Sequence, residues 1–169
     1  SRISHYMNRP NKHAGNPIIV ADRPWEEGRG RGKTGDVELV GQTVLYDKEE
    51  TLFKMWYLPS ALPDGRRPWC YATSTDGFNW EKPDLGLIEF DGSKQNNIVE
   101  MLRAGGAAGE PNFYNVFKDL RDPDSQRRYK AQGEMHGPGG HQPPGGMVNA
   151  YSPDGLRWTS NNQAVVQYP

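Results

Sequence analysis

A ten-residue stretch, Tyr71-Ala72-Thr73-Ser74-Thr75-Asp76-Gly77-Phe78-Asn79-Trp80, returns later as Asn149-Ala150-Tyr151-Ser152-Pro153-Asp154-Gly155-Leu156-Arg157-Trp158. Both copies spell Ser-x-Asp-Gly-x-x-Trp, and the second starts 78 residues after the first. Upstream, Leu52-Phe53-Lys54-Met55-Trp56-Tyr57 has an echo in Arg128-Tyr129-Lys130-Ala131-Gln132-Gly133, with Lys54 and Lys130 offset by 76. A long repeat held in register means that one supersecondary unit is built twice, each copy needing a neighbour to bury its apolar face.

The two units share a grammar. A β-prone run (37–46; 112–118) meets a polar turn (47–50; 122–125), and a second run follows (51–58; 127–134). After a Gly/Pro-rich loop, a third run ends at Asp-Gly and a fourth begins at the Trp. Asp-Gly between β-prone segments signals a chain reversal, because Gly accepts the positive φ that such turns need. Four antiparallel strands in a repeated meander read as blades of a β-propeller, and the repeated Trp as the apolar block that packs one blade on the next. No long stretch has helical periodicity, so the expected fold is all-β.

The expected organisation is an irregular lead-in (1–35) with a short strand at 16–20, then a first blade (36–82). A connection (83–111) follows with short strands near 87–90 and 97–101, then a second blade and the start of the next unit (112–169). Two blades do not close a propeller, which takes at least about four. Further blades or copies are therefore the expected partners, and the chain is expected to be part of a longer protein or of an assembly.

Composition narrows the function. Only 34% of residues are hydrophobic and mean hydropathy is −0.88, yet aromatics reach 11% with five Trp and eight Tyr. Such a chain builds its core from aromatic and β-branched residues on many short strands, and the repeat with its aromatics argues against disorder. A net charge of −1 and a basic run limited to Arg29, Arg31 and Lys33 speak against nucleic acid. Gly28 to Gly35 invites a phosphate-loop reading, but Glu27 occupies the position that needs the first Gly, and no helical pattern follows. The single Cys70 excludes an intrachain disulfide and a cysteine-based zinc site. No cofactor is expected. The sequence holds no transmembrane run or signal peptide, and it starts at Ser1 in a manner consistent with removal of a leader.

Asn16-Pro17-Ile18, Phe53-Lys54-Met55-Trp56-Tyr57, the run from Ser74 to Pro83, Leu85-Gly86-Leu87 and Asn96-Asn97-Ile98-Val99 carry a family likeness. Together they resemble the five-bladed propeller glycosidases, and above all bacterial proteins similar to the N-terminal part of glycoside hydrolase family 32, with family 43 as a cousin. The resemblance covers about two blades of five. It implies hydrolysis of a glycosidic bond in an extracytoplasmic (secreted or periplasmic) poly- or oligosaccharide. A carbohydrate-binding or assembly propeller would keep the scaffold without the chemistry. The Asn-Asp-Pro-Asn-Gly nucleophile segment of the fructosidases is missing here. Aligning Phe53 to Tyr57 with the family's second strand places Glu38, three residues before Gly41, near the nucleophile position.

Propeller geometry then selects the residues facing the funnel: starts of inner strands (36–38, 110–114) and loops between second and third strands (58–68, 134–146). Glycoside hydrolysis by the usual route takes two carboxyl groups, and this end offers Asp36, Glu38, Glu110 and Glu134. Glu38 leads, since a rigid inner strand fixes geometry best, with Glu134 second. Asp36, Asn112, Tyr114 and His136 are expected at the substrate, with Trp69 as a sugar-stacking platform at the loop edge. Arg66 and Arg67 would grip a carboxylated or sulfated sugar. Trp56 alternates within a strand and reads as core. Glu134, His136 and His141 are chemically suited to a metal, but their Gly/Pro-rich loop fixes no spacing, so no metal site is expected. Asp76 and Asp154 fall on the opposite end as turn-formers. Arg121-Asp122-Pro123 matches the Arg-Asp-Pro of family 32, but it lies in a hairpin turn after the strand, so Asp122 also reads as a turn residue.

Overall fold

The computed structural model describes residues 7–26, 39–59, 62, 68–103, 112–135, 145–160 and 164–167. The helical elements among them are two short 3-10 turns, Pro24–Glu26 and Ser125–Arg127. The regular structure is otherwise all-β. Strands β1 (Leu39–Asp47), β2 (Leu52–Pro59) and β3 (Cys70–Ser74) form an antiparallel sheet in chain order. A second sheet holds β4 (Glu100–Arg103), β5 (Asn112–Lys118), β6 (Tyr129–Met135), β7 (Gly146–Ser152), β8 (Arg157–Ser160) and β9 (Val166–Gln167). Its order is β4-β8-β7-β6-β5, with β9 paired to β7. Strands β5 to β8 make the four-stranded meander, and β4 adds to it in parallel along β8.

The sequence repeat is also a repeat of register. Lys54 lies between Leu45 and Thr73 in the first sheet, and Lys130 between Phe117 and Tyr151 in the second. Both first hairpins carry a β-bulge, between Val40 and Thr43 and between Phe113 and Asn115. The bridge Thr73–Glu81 matches Tyr151–Thr159. The amide of Val99 donates to Trp69 O at 2.9 Å, as that of Val165 donates to Met147 O at 2.8 Å.

Local chemistry explains the shared turn. Ser74 Oγ accepts from the Gly77 amide at 2.8 Å, and Asp76 Oδ1 accepts from the Phe78 and Asn79 amides at 2.8 Å each. Ser152 and Asp154 hold Gly155, Leu156 and Arg157 at the same distances. Asp76 and Asp154 thus tie up their own backbone, and these bonds keep the Asp76 carboxyl well below the usual range. Gly77 and Gly155 sit at φ of +78° and +79°, where a Cβ is strained. Their carbonyls accept from the indoles of Trp80 and Trp158.

Three expectations about minor strands change. Residues 16–20 form bends and no strand, because Lys82 Nζ takes Val20 O at 2.7 Å in place of a ladder partner. Around 87–90 only the Phe90–Ser93 bridge forms, closing a tight turn with Asp91 and Gly92 at φ of 48° and 81°. In the first blade the fourth strand shrinks to a bridge at Glu81. Pro83 lacks the amide that would extend the ladder, and residues 97–99 pair with β3 further along instead.

Two apolar clusters result. Trp56, Leu58 and Tyr71 of the first sheet meet Phe113, Tyr129 and Trp158 of the second. Trp158 is 0% exposed and lies edge-on to Trp56, with ring centroids 6.4 Å apart. It therefore packs sheet against sheet, as the repeat suggests. Trp80 works elsewhere: it joins Met55, Tyr57 and Ala72 on the outer face of the first sheet, which Ile19, Trp25 and Phe90 cover. That cover is anchored by the fully buried Glu26, whose carboxylate accepts from the Tyr57 hydroxyl and from Lys82 Nζ at 2.7 Å. A carboxylate so deep persists only when paired. Burial pushes the Tyr57 phenol and the Cys70 thiol up.

The sheets are also joined by ions at the hairpin-turn end. Asp47 accepts from Lys54 Nζ at 2.9 Å, from Lys118 Nζ at 2.8 and 2.9 Å, and from the Tyr129 hydroxyl at 3.0 Å. Burial opposes ionisation of Asp47, but these three donors outweigh it and hold the carboxyl well below the usual range.

Candidate functional site

Strands β1 and β5 begin at the end opposite those turns, where β2 and β6 finish. This end of the second sheet is shaped by the β5 bulge. Thr43 Oγ1 from the first sheet enters the bulge, donating to Tyr114 O at 2.7 Å and accepting from the Val116 amide at 3.1 Å. A bulge breaks strict alternation and re-aims a side chain. Tyr114 packs beside the core while its hydroxyl donates to Glu134 Oε1 at 2.5 Å. Glu134 lies in the ladder between Asn112 and Met147, so its backbone is fixed on both sides.

The structure thus brings together two expected site residues, Tyr114 and Glu134, and sets Asn112 opposite Glu134 in the ladder. Asp36, Glu38, Arg66, Arg67 and His136 lie outside the described residues, as do Glu110 and His141. Trp69 needs correction as a platform. It is 7% exposed, stacked on Phe113 at 5.3 Å and tilted against Trp158 at 5.0 Å, and so is a core residue without an open face for a sugar. Its indole N–H is buried without a hydrogen-bond partner among the described residues. Asp122 is a turn residue, accepting from the Asp124 amide at 2.9 Å and pairing with Lys130 at 2.8 Å.

Glu134 is a carboxylate at this end among the described residues. No three of His, Cys, Asp and Glu among them converge closely enough to hold a metal, and no helix among them is long and apolar enough to cross a membrane. The sequence did not reveal that Tyr114 and Glu134 form a pair. The bulge that joins them leaves no mark in the residue pattern, although the equivalent bulge at Val40–Thr43 shows it belongs to the repeat.

No family model and no curated protein matches the chain. Among solved structures, the chain is similar to an E230A fructofuranosidase from Schwanniomyces occidentalis complexed with fructosylnystose, at 17% identity and a TM-score of 0.46. The likeness covers 76% of this chain and 24% of that enzyme, so the chain spans about a quarter of the protein it matches.

Proposed function

We propose that the strand-start end of the two sheets forms part of a carbohydrate site, and that the protein is glycoside hydrolase-like, acting on a poly- or oligosaccharide outside the cytoplasm. The observation supporting this is the Tyr114–Glu134 pair: a carboxylate on a paired strand, held by a phenol at 2.5 Å. Fixing a reactive carboxylate on rigid backbone is what such chemistry requires. In this reading Glu134 acts with Glu38 across the scissile bond, while Asp36, Asn112, Tyr114 and His136 contact the sugar. Arg66 and Arg67 meet any acidic substituent.

A second reading has its own support. Hydrolysis by the usual route takes two carboxyl groups, and the Asn-Asp-Pro-Asn-Gly nucleophile segment of the fructosidases is missing from this sequence. A carbohydrate-binding propeller needs neither.

The test is release of reducing sugar from β-fructosides, which the family resemblance suggests trying first, and from a panel of polysaccharides. Glu134→Gln should lower kcat about 10²- to 10⁴-fold, with Tyr114→Phe costing about tenfold through lost positioning. Saturable sugar binding without turnover would move the conclusion to the binding module. Neither turnover nor binding would overturn the carbohydrate reading.

A further inference from the structure

Each repeated turn contains an Asp-Gly bond, a dipeptide prone to succinimide closure because Gly has no Cβ to shield its amide nitrogen. The closed turn opposes that reaction, and with the same bonds in both repeats. The Gly77 and Gly155 amides donate to Ser74 and Ser152 Oγ at 2.8 Å. The Asp76 and Asp154 carboxylates accept from the serine hydroxyls at 3.0 Å and from the two amides beyond each Gly at 2.8 Å. Attack on the carboxyl carbon therefore waits until the turn opens, and its rate follows the free energy of that opening.

What surrounds the two turns differs. Gly155 is buried, and its carbonyl accepts from Trp56 Nε1 of the other sheet at 2.7 Å as well as from Trp158 Nε1 at 2.8 Å. Leu156 packs on the core between the sheets, and its carbonyl accepts from the Glu100 amide at 2.9 Å, where β4 joins β8. Arg157 Nη1 adds a charged grip on Asp154 Oδ2 at 2.9 Å. At the first turn Gly77 is half-buried, its carbonyl accepts from Trp80 Nε1 at 3.1 Å, and Asp76 Oδ2 takes the neutral Asn79 amide. Asp76, Phe78 and Asn79 are exposed, and with His13 and Pro17 they border a hollow open to solvent. Opening the second turn breaks the contact between sheets. Opening the first breaks local bonds and the contact of Phe78 with His13.

We infer that Asp76 is a site of spontaneous isoaspartyl modification, and that the sheet interface protects Asp154 in the same motif. The Gly77 nitrogen bonds to Asp76 Cγ, and the carboxyl hydroxyl leaves with the amide proton as water, closing the succinimide. Water then adds at either imide carbonyl. One opening restores Asp76; the other leaves an isoaspartyl residue of the same composition, with the main chain running through Cγ and the α-carboxyl free. That product inserts a methylene into a turn fitted to the positive φ of Gly77. It therefore loosens the hold on Trp80 and the Thr73–Glu81 bridge that follows the turn.

The test incubates the full chain at neutral pH in heavy-oxygen water, then digests it and locates isoaspartate and label by electron-transfer mass spectrometry. Asp76 should convert at least about tenfold faster than Asp154. Ser74→Ala should speed conversion at Asp76 about fivefold and leave Asp154 unchanged. In guanidinium chloride above the unfolding transition the two rates should converge, since both sites are then open Asp-Gly bonds. Equal rates in the folded chain, no conversion at Asp76, or a Ser74→Ala rate equal to that of the unaltered chain would overturn the inference. So would a difference that persists after unfolding, which would place its cause in the neighbouring residues and not in the sheet interface.

Discussion

Lys54 and Asp47 keep 4% and 1% of their side-chain surface exposed, whereas their counterparts Lys130 and Asp119 keep 23% and 27%. The residue types, register and pair distances nearly coincide, and what differs is the sheet lying over the first pair. One local motif therefore yields two energetic objects. Under a neighbouring sheet it is a buried pair, Lys54 and Asp47, in which each charge depends on its partners. On an open face it is a solvated pair of small net worth. The repeat fixes each unit's own geometry, and the neighbour fixes how much that geometry matters.

The largest expected divergence is at the repeated tryptophans. Trp158→Ala should cost about 3–5 kcal/mol, since it empties the space between the sheets. The partly buried Trp80 should cost less when truncated. Urea unfolding of both variants checks this, and equal losses would break the claim that the second sheet's Trp is the interlocking one.

Next come the turn glycines. Gly77 and Gly155 share a positive φ, so each Ala variant carries about 1–2 kcal/mol of backbone strain. An added Cβ at Gly155 would sit 2.8 Å from the Trp56 ring, whereas at Gly77 the nearest atom is 3.6 Å away. Gly155→Ala should therefore lower the unfolding midpoint further than Gly77→Ala. Matching midpoints would mean the first sheet yields easily at Trp56.

Titration gives the most condition-dependent contrast. Asp47 is held below its ordinary value, so its contribution is complete above about pH 4 and is lost as pH falls through the lowered folded value. Lys54 and Lys118 are raised: burial works against them, and hydrogen bonds to Glu50, Tyr129 and Asp47, or to Asp47 and Glu49, prevail. Their contribution is complete below about pH 10.4 and is lost as pH rises through the raised values. Hydrogen bonds from Lys130 also lower Asp119 and Asp122, but on an exposed face. Thermal melts across pH should show an acid limb whose Asp119 part, isolated with Asp119→Asn, disappears at high salt while the Asp47 part persists. Equal salt sensitivity of the two parts would contradict the burial difference.

What could be read from sequence follows the range of the forces involved. Ser-x-Asp-Gly-x-x-Trp was legible as a turn because Ser74, Asp76 and their counterparts bond their own backbone within three residues. The all-β repeat was legible for the same reason. The place of Trp69 is not legible, because only packing against Phe113 and Trp158, distant in the chain, decides that a loop-edge ring turns inward. The Tyr114–Glu134 pair depends on a bulge that no residue type announces. Lys118 is not legible from the repeat because its counterpart in the first unit is Tyr46, so aligning the units conceals the cation that joins them.

The most direct test of the two-repeat account sets Lys54→Met beside Lys130→Met in urea unfolding at neutral pH. Lys54→Met removes a cation from a buried carboxylate and should cost about 3 kcal/mol or more, whereas Lys130→Met should fall within about 1 kcal/mol of the unaltered chain. Equal losses would contradict the account, because they would mean that the covering sheet does not set the worth of the repeated motif.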